Sequence, residues 1–205
     1  MFIGRKEELN FLEDRYNSAD GQLVVLYGRR RVGKTELLRQ FCQDKEHIFY
    51  TCTEIIDEKQ LEAFSQRLLE KNHQAAKYIT RFSDWEQALL SISELAKEKK
   101  IVVVIDEFPY MVKGNNAIPS ILQKLWDEVL KQSNVMLILC GSAMSFIEKE
   151  VLAEKNPLYG RATGILKMQA MDFYSAQQFF PNYSTEDKIT AYANVANTDE
   201  GKKLI

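Results

Sequence analysis

The stretch that most constrains this chain is Gly28-Arg29-Arg30-Arg31-Val32-Gly33-Lys34-Thr35, a G-x-x-x-x-G-K-T loop. Before it runs Gln22-Leu23-Val24-Val25-Leu26-Tyr27, apolar and β-prone. After it comes Glu36-Leu37-Leu38-Arg39-Gln40-Phe41, which reads as a helix start. A strand, a glycine loop and a helix start in that order make a phosphate cradle. Gly28 and Gly33 carry no Cβ, so the backbone is expected to turn there and approach phosphate oxygens closely. The amides from Arg29 through Val32 to Glu36 lie in the loop or first helical turn, where they have no intrahelical acceptor and donate to anions. Lys34 is expected on the β- and γ-phosphates and the Thr35 hydroxyl on Mg²⁺. A chance glycine turn would not bring its own strand and helix with it.

The rest of the chain supplies matching elements. Its 205 residues, 45% hydrophobic and 27% charged, suit one globular domain or one domain with an appendage. Ile101-Val102-Val103-Val104-Ile105 and Asn134 to Cys140 are continuous apolar runs, the pattern of strands buried on both faces of a parallel sheet. His47 to Cys52 and Gly164 to Met168 read as further strands. Helices are expected from Gly4 to Ser18, from the loop to about Asp44, from Asp57 to about Lys100 with breaks near Asn72 and Ser83, from Ala117 to Lys131, and from Ala143 to Leu152. Phe108-Pro109-Tyr110 reads as a turn, and Asp172 to Phe180 and Thr185 to Val195 as short helices. Strands alternating with helices predict an α/β three-layer sandwich around a mainly parallel five-stranded sheet.

Composition narrows the partners. A net charge of -2 makes no global case for nucleic acid. Arg29, Arg30 and Arg31 could screen a triphosphate, meet an acidic or nucleic-acid partner, or form a solvated basic loop. Cys42, Cys52 and Cys140 are distant in sequence, odd in number and set in apolar runs, so they read as buried thiols of a reducing, cytoplasmic compartment. No segment has the length of a membrane span or a signal-peptide core.

The chemistry gathers at strand ends. Asp106 closes an apolar strand where ligands of open α/β sheets collect, and it is expected to hold Mg²⁺ with Thr35. Glu107 follows and is expected to orient and polarise an attacking water. Ser142, after the next strand, is either a γ-phosphate sensor or the N-cap of the following helix. Arg161 is either an arginine finger reaching a neighbouring subunit's nucleotide or a salt-bridged loop arginine. His47 and His73 stand alone, and Trp85 and Trp126 sit at core spacing.

Four stretches together resemble the AAA+-related ATPases of archaea and bacteria, a branch close to the STAND NTPases. They are Phe2-Ile3-Gly4-Arg5-Lys6-Glu7-Glu8, Leu26 to Thr35 (Walker A), Val103 to Tyr110 (Walker B) and Pro157-Leu158-Tyr159-Gly160-Arg161. The resemblance implies ATP rather than GTP, with Ile3, Gly4 and Arg5 near the adenine, and an extra strand between the P-loop and Walker B strands. It implies an ATPase core over 1–170 and, over 171–205, the start of a helical lid. The family's Gly-Gly-hydrophobic-Pro stretch is not matched at Ala191 to Asn197, so the lid is expected to be incomplete and any output domain to lie outside the chain. The expected function is a Mg²⁺-dependent ATPase module driving or switching an output domain, slow or inactive in isolation and mostly monomeric, with its nucleotide edge the surface for any self-association. Alternatives are a nucleotide-dependent interaction switch and a small-molecule kinase; the Asp106-Glu107 pair favours water as acceptor.

Overall fold

Three strands are buried along their whole length: β1 (Gln22–Gly28), β3 (Ile101–Asp106) and β4 (Val135–Gly141). In the computed structural model, which describes residues 2–197, they form the middle of a five-stranded sheet. β2 (His47–Thr51) and β5 (Gly164–Met168) take the edges, and their partly exposed residues mark them as such. The order is β2-β3-β4-β1-β5 and every pairing is parallel. β4 therefore lies between the P-loop strand and the strand ending in Asp106, which is the extra strand that the resemblance implied.

Parallel strands need crossovers, and here helices supply them on both faces. The odd-numbered residues Leu23 and Val25 of β1 face a cluster with Phe64, Leu68, Trp85, Leu89, Leu122 and Trp126. These come from α3 (Asp57–Lys71), α4 (Trp85–Leu95) and α6 (Ile118–Glu128). Val24 and Leu26 face the opposite cluster, with Leu12, Leu37, Leu38 and Phe41 from α1 (Lys6–Tyr16) and α2 (Lys34–Cys42). This is the expected three-layer sandwich. The three cysteines are buried free thiols, and burial pushes the Cys42 thiol up to about 12.

Local chemistry sets the breaks in the long region before β3. At Asn72 the Oδ1 accepts from the Ala75 amide at 3.0 Å, and a short 3₁₀ turn replaces the α-helix. At Asp84 the carboxylate accepts from the Gln87 amide at 2.8 Å and caps α4. Asp57, at the start of α3, accepts from the Trp85 indole at 2.7 Å, so the two helix starts are tied together.

Three segments differ from expectation. Phe108-Pro109-Tyr110 opens a helix, α5 (Phe108–Gly114), because proline fits a first helical turn whose amides need no intrahelical acceptor. Ala143 to Leu152 is one α-turn, α7 (Met144–Phe146), running into a π-helical turn, Ile147–Val151. Asp172 to Phe180 divides into α8 (Phe173–Ala176) and a 3₁₀ turn, Gln177–Phe179. α9 (Thr185–Asn197) follows, and its Tyr192 hydroxyl donates to the Met171 carbonyl at 3.0 Å. The remainder of the expected lid, residues 198–205, lies outside the described residues. Among the described residues no helix is long and apolar enough to cross a membrane.

Phe64 is fully buried between the rings of Tyr50, 5.3 Å away, and Trp85, 5.5 Å away. Phe64→Ala removes both ring contacts and leaves a cavity under the sheet. It should cost about 3–5 kcal/mol in a urea titration, with the slope unchanged. A loss below about 1 kcal/mol would show that this part of the core collapses to fill the space.

Candidate nucleotide-binding site

The chain leaves β1 at Gly28 and enters α2 at Lys34, so the loop lies at the carboxyl edge of the sheet. Gly33, at φ 87°, caps α2 in the left-handed region, where glycine carries no steric penalty. The first intrahelical bond runs from the Leu37 amide to the Gly33 carbonyl at 2.9 Å. The amides of Lys34, Thr35 and Glu36 therefore have no intrahelical acceptor, at the positive end of the helix dipole.

Gly28 has a packing role. It ends β1, and a Cβ there would sit 2.4 Å from the Met168 carbonyl oxygen of β5. Its missing side chain admits the neighbouring strand. Lys34 is drawn in against the loop backbone. It is 6% exposed, and its Nζ donates to the Gly28 and Arg29 carbonyls at 2.9 and 2.8 Å. An ammonium has three protons, so one remains for an anion.

The parallel register brings the Asp106 end of β3 beside the loop. Thr35 Oγ1 donates to Asp106 Oδ2 at 2.8 Å, and the Glu107 amide donates to Oδ1 at 3.0 Å. Asp106 is almost wholly buried. Beside it the Cys140 thiol is held protonated, first by burial and then by the charge of Asp106 and a hydrogen bond to it. A hydroxyl and a carboxylate side by side are hard oxygen donors, and they fit Mg²⁺, which takes its remaining ligands from phosphate and water. Among the described residues no group of three or more His, Cys, Asp or Glu side chains could hold a metal alone.

Glu107 lies in the left-handed region at φ 52°, ψ 42°. Its Oε2 accepts from the Ser142 amide at 3.2 Å and the Ser142 hydroxyl at 3.0 Å. The helix-cap reading of Ser142 does not hold: α7 begins after Ala143 and has no side-chain cap.

Lys34, Thr35, Glu36 and Glu107 line one cavity of about 740 Å³ together with Arg5, Arg30, Arg31 and Arg39. Phe2, Ile3, Val32, Met171 and Phe179 add apolar surface to the same lining. The cationic side chains suit a polyanion and the apolar ones a flat ring. Met171 and Phe179 were not legible in the sequence, since each is an ordinary apolar residue until the chain brings it to the cavity.

Four expected site residues have other partners as well. Arg5 uses Nη1 on Glu8 at 2.8 Å, and Nη2 on the carbonyls of Val32 at 2.9 Å and Gln169 at 2.8 Å. It lines the cavity but fastens α1, the loop and the exit of β5 to one another. Gly4 packs against Met171 and Ser175 instead of lining the cavity. Arg29 is exposed and contributes its carbonyl to Lys34. Arg161 is outside the cavity, as a salt-bridged loop arginine: Nε and Nη2 grip Asp127 at 2.9 and 2.6 Å, and Nη1 donates to the Pro157 carbonyl at 2.8 Å. That bridge draws the Asp127 carboxyl below its usual range.

Residues 2–197 match the model of a family described as an ATPase domain predominantly from Archaea. An uncharacterized protein of Methanocaldococcus jannaschii is 35% identical over 192 residues, 94% of this chain and 41% of that protein. The chain thus spans about two fifths of that relative's length. The Walker-type ATPase PABY2304 of Pyrococcus abyssi superposes with a TM-score of 0.71 at 21% identity, covering 100% of this chain and 66% of that one. The ORC2 protein of Aeropyrum pernix, solved in ADPNP–ADP complexes, gives 0.61 at 14% identity, over 91% of this chain and 52% of its own. At these identities the two structures establish the shared fold.

If Gly28 serves strand packing, Gly28→Ala should destabilise the chain even without nucleotide. Pushing β5 from β1 should cost about 1–3 kcal/mol, the usual scale of overpacking. An unchanged melting temperature would return Gly28 to the role expected from its motif.

Proposed function

The chain belongs to the family of ATPase domains found predominantly in archaea, and on that footing we propose that it is a Mg²⁺-dependent ATP-hydrolysing module. The observation that carries this reading is the join between the two motifs: Thr35 bonded to Asp106, with Lys34 and Glu107 facing one cavity. The loop amides and Lys34 bind the β- and γ-phosphates. Thr35 and Asp106 hold Mg²⁺, which when bound screens phosphate charge. Glu107 accepts a proton from water as the water oxygen bonds to the γ-phosphorus, and the bond to the β-phosphate breaks with its electron pair leaving on ADP.

The apolar lining of the cavity receives the base. The segment from Met171 to Phe179 is then the beginning of a lid, because both residues line the cavity. The lid's position would carry nucleotide state to an output domain or partner. Arg161 takes no part in this scheme, since its bridge to Asp127 occupies the guanidinium.

Binding and turnover are separable. Lys34→Met keeps the apolar stem and removes the charge, and it should weaken ATP at least tenfold in a calorimetric titration, about the loss of one charged hydrogen bond. Equal affinity would remove the loop from nucleotide binding. Glu107→Gln should bind ATP with Mg²⁺ about as well as wild type and release phosphate at least a hundredfold more slowly, within the usual range for a lost general base. A mutant turning over at the wild-type rate would assign the water to another group.

A further inference from the structure

A carboxylate that must aim a water is more useful fixed than free, because three side-chain torsions otherwise scatter it. Glu107 is fixed by an unusual pair of donors. The amide and the hydroxyl of one residue, Ser142, both reach the same oxygen, Oε2. This leaves Oε1 to accept from a water.

The geometry rests on close packing at the end of β4. The β3–β4 register pairs Ile105 with Leu139, two residues before Glu107 and three before Ser142. A Cβ on Gly141 would sit 2.9 Å from Pro109 Cδ, 3.1 Å from its Cγ and 3.3 Å from Ile147 Cδ1. Only a glycine lets the first turn of α5 lie that close to β4. The left-handed backbone of Glu107 makes the turn from β3 into α5 in a single residue.

We propose that Gly141 and Ser142 form the positioning unit for Glu107: Ser142 acts through the carboxylate rather than on the γ-phosphate, and Gly141 supplies the clearance that lets it do so. This rests on the ATPase reading given above. Glu107 is the catalytic residue and touches the attacking water, whereas Ser142 positions it. Ser142 then governs turnover and leaves nucleotide affinity alone. A phosphate-touching serine would instead discriminate ATP from ADP.

The test is a double-mutant cycle in the full chain, read as kcat, KM and separate ATP and ADP affinities. Ser142→Ala should lower kcat by about ten- to a hundredfold while KM for ATP stays within about threefold, and Ser142→Thr, which keeps the hydroxyl, should restore most of the rate. In a Glu107→Gln background Ser142→Ala should lower kcat less than about twofold further, because the group it positions has already lost its charge. A loss that multiplies in full in that background, or weaker binding of ATP with ADP unchanged, would overturn the proposal in favour of direct phosphate sensing. Amide hydrogen exchange gives a readout that needs no turnover. The Ser142 amide should exchange faster in Glu107→Ala and at the wild-type rate in Glu107→Gln, whose amide oxygen still accepts. Unchanged exchange in Glu107→Ala would remove the restraint itself. Absence of phosphate release from the wild-type chain would sink the ATPase reading, and the exchange measurement would still decide whether Ser142 holds Glu107.

Discussion

The hydrogen bond from Thr35 Oγ1 to Asp106 Oδ2 joins residues 71 positions apart in the chain. It exists because β3 and β1 run parallel and end at the same edge, with β4 setting their spacing. Four other features depend on that arrangement. The amides at the start of α2 point to the edge where Asp106 stands. Lys34 is drawn back over the loop. Glu107 follows Asp106 into the cavity, and Ser142 arrives from the strand between. A shift of β3 by one residue would turn Asp106 to the opposite face of the sheet, since side chains alternate along a strand.

Charge is distributed unevenly around this edge. The cavity gathers Arg5, Arg30, Arg31, Lys34 and Arg39 against two carboxylates, Glu36 and Glu107, although the whole chain carries -2. Overall charge therefore says little about what the cavity attracts, and a polyanion meets a strongly positive local field. Arg5 contributes to that field while its hydrogen bonds are engaged elsewhere. Beneath the site, burial keeps Cys140 a neutral thiol, so Asp106 gains a weak donor from below without a second negative charge beside it.

The parts of the site legible in the sequence are those whose signal is local. The G-x-x-x-x-G-K-T spacing, the apolar run before Asp106 and the Asp-Glu pair each fit in one window, and the strands followed from unbroken apolar runs. What escaped depends on contacts between windows. Gly28 looks like a loop glycine until Met168 is seen against it. Arg161 reads equally as a finger or a bridged loop residue until Asp127 of α6 is seen beside it. Ser142 looked equally like a cap, because the partner that decides the matter, Glu107, is 35 positions away. Phe108-Pro109-Tyr110 misled for a different reason. Proline stops a helix from within but starts one well, and the sequence does not say which side of the boundary it occupies.

The left-handed backbone at Glu107 has a consequence for how such a chain can change over time. Glutamate carries a Cβ and lacks the short side chain that lets asparagine or aspartate bond locally there, so the conformation costs free energy, about 1–3 kcal/mol for a residue held in a sparse region. Glycine would relieve that cost. At this one position, selection for a sturdier fold and selection for turnover pull in opposite directions. A lineage released from the need to hydrolyse would be expected to drift there first, losing its carboxylate while its phosphate loop stayed intact.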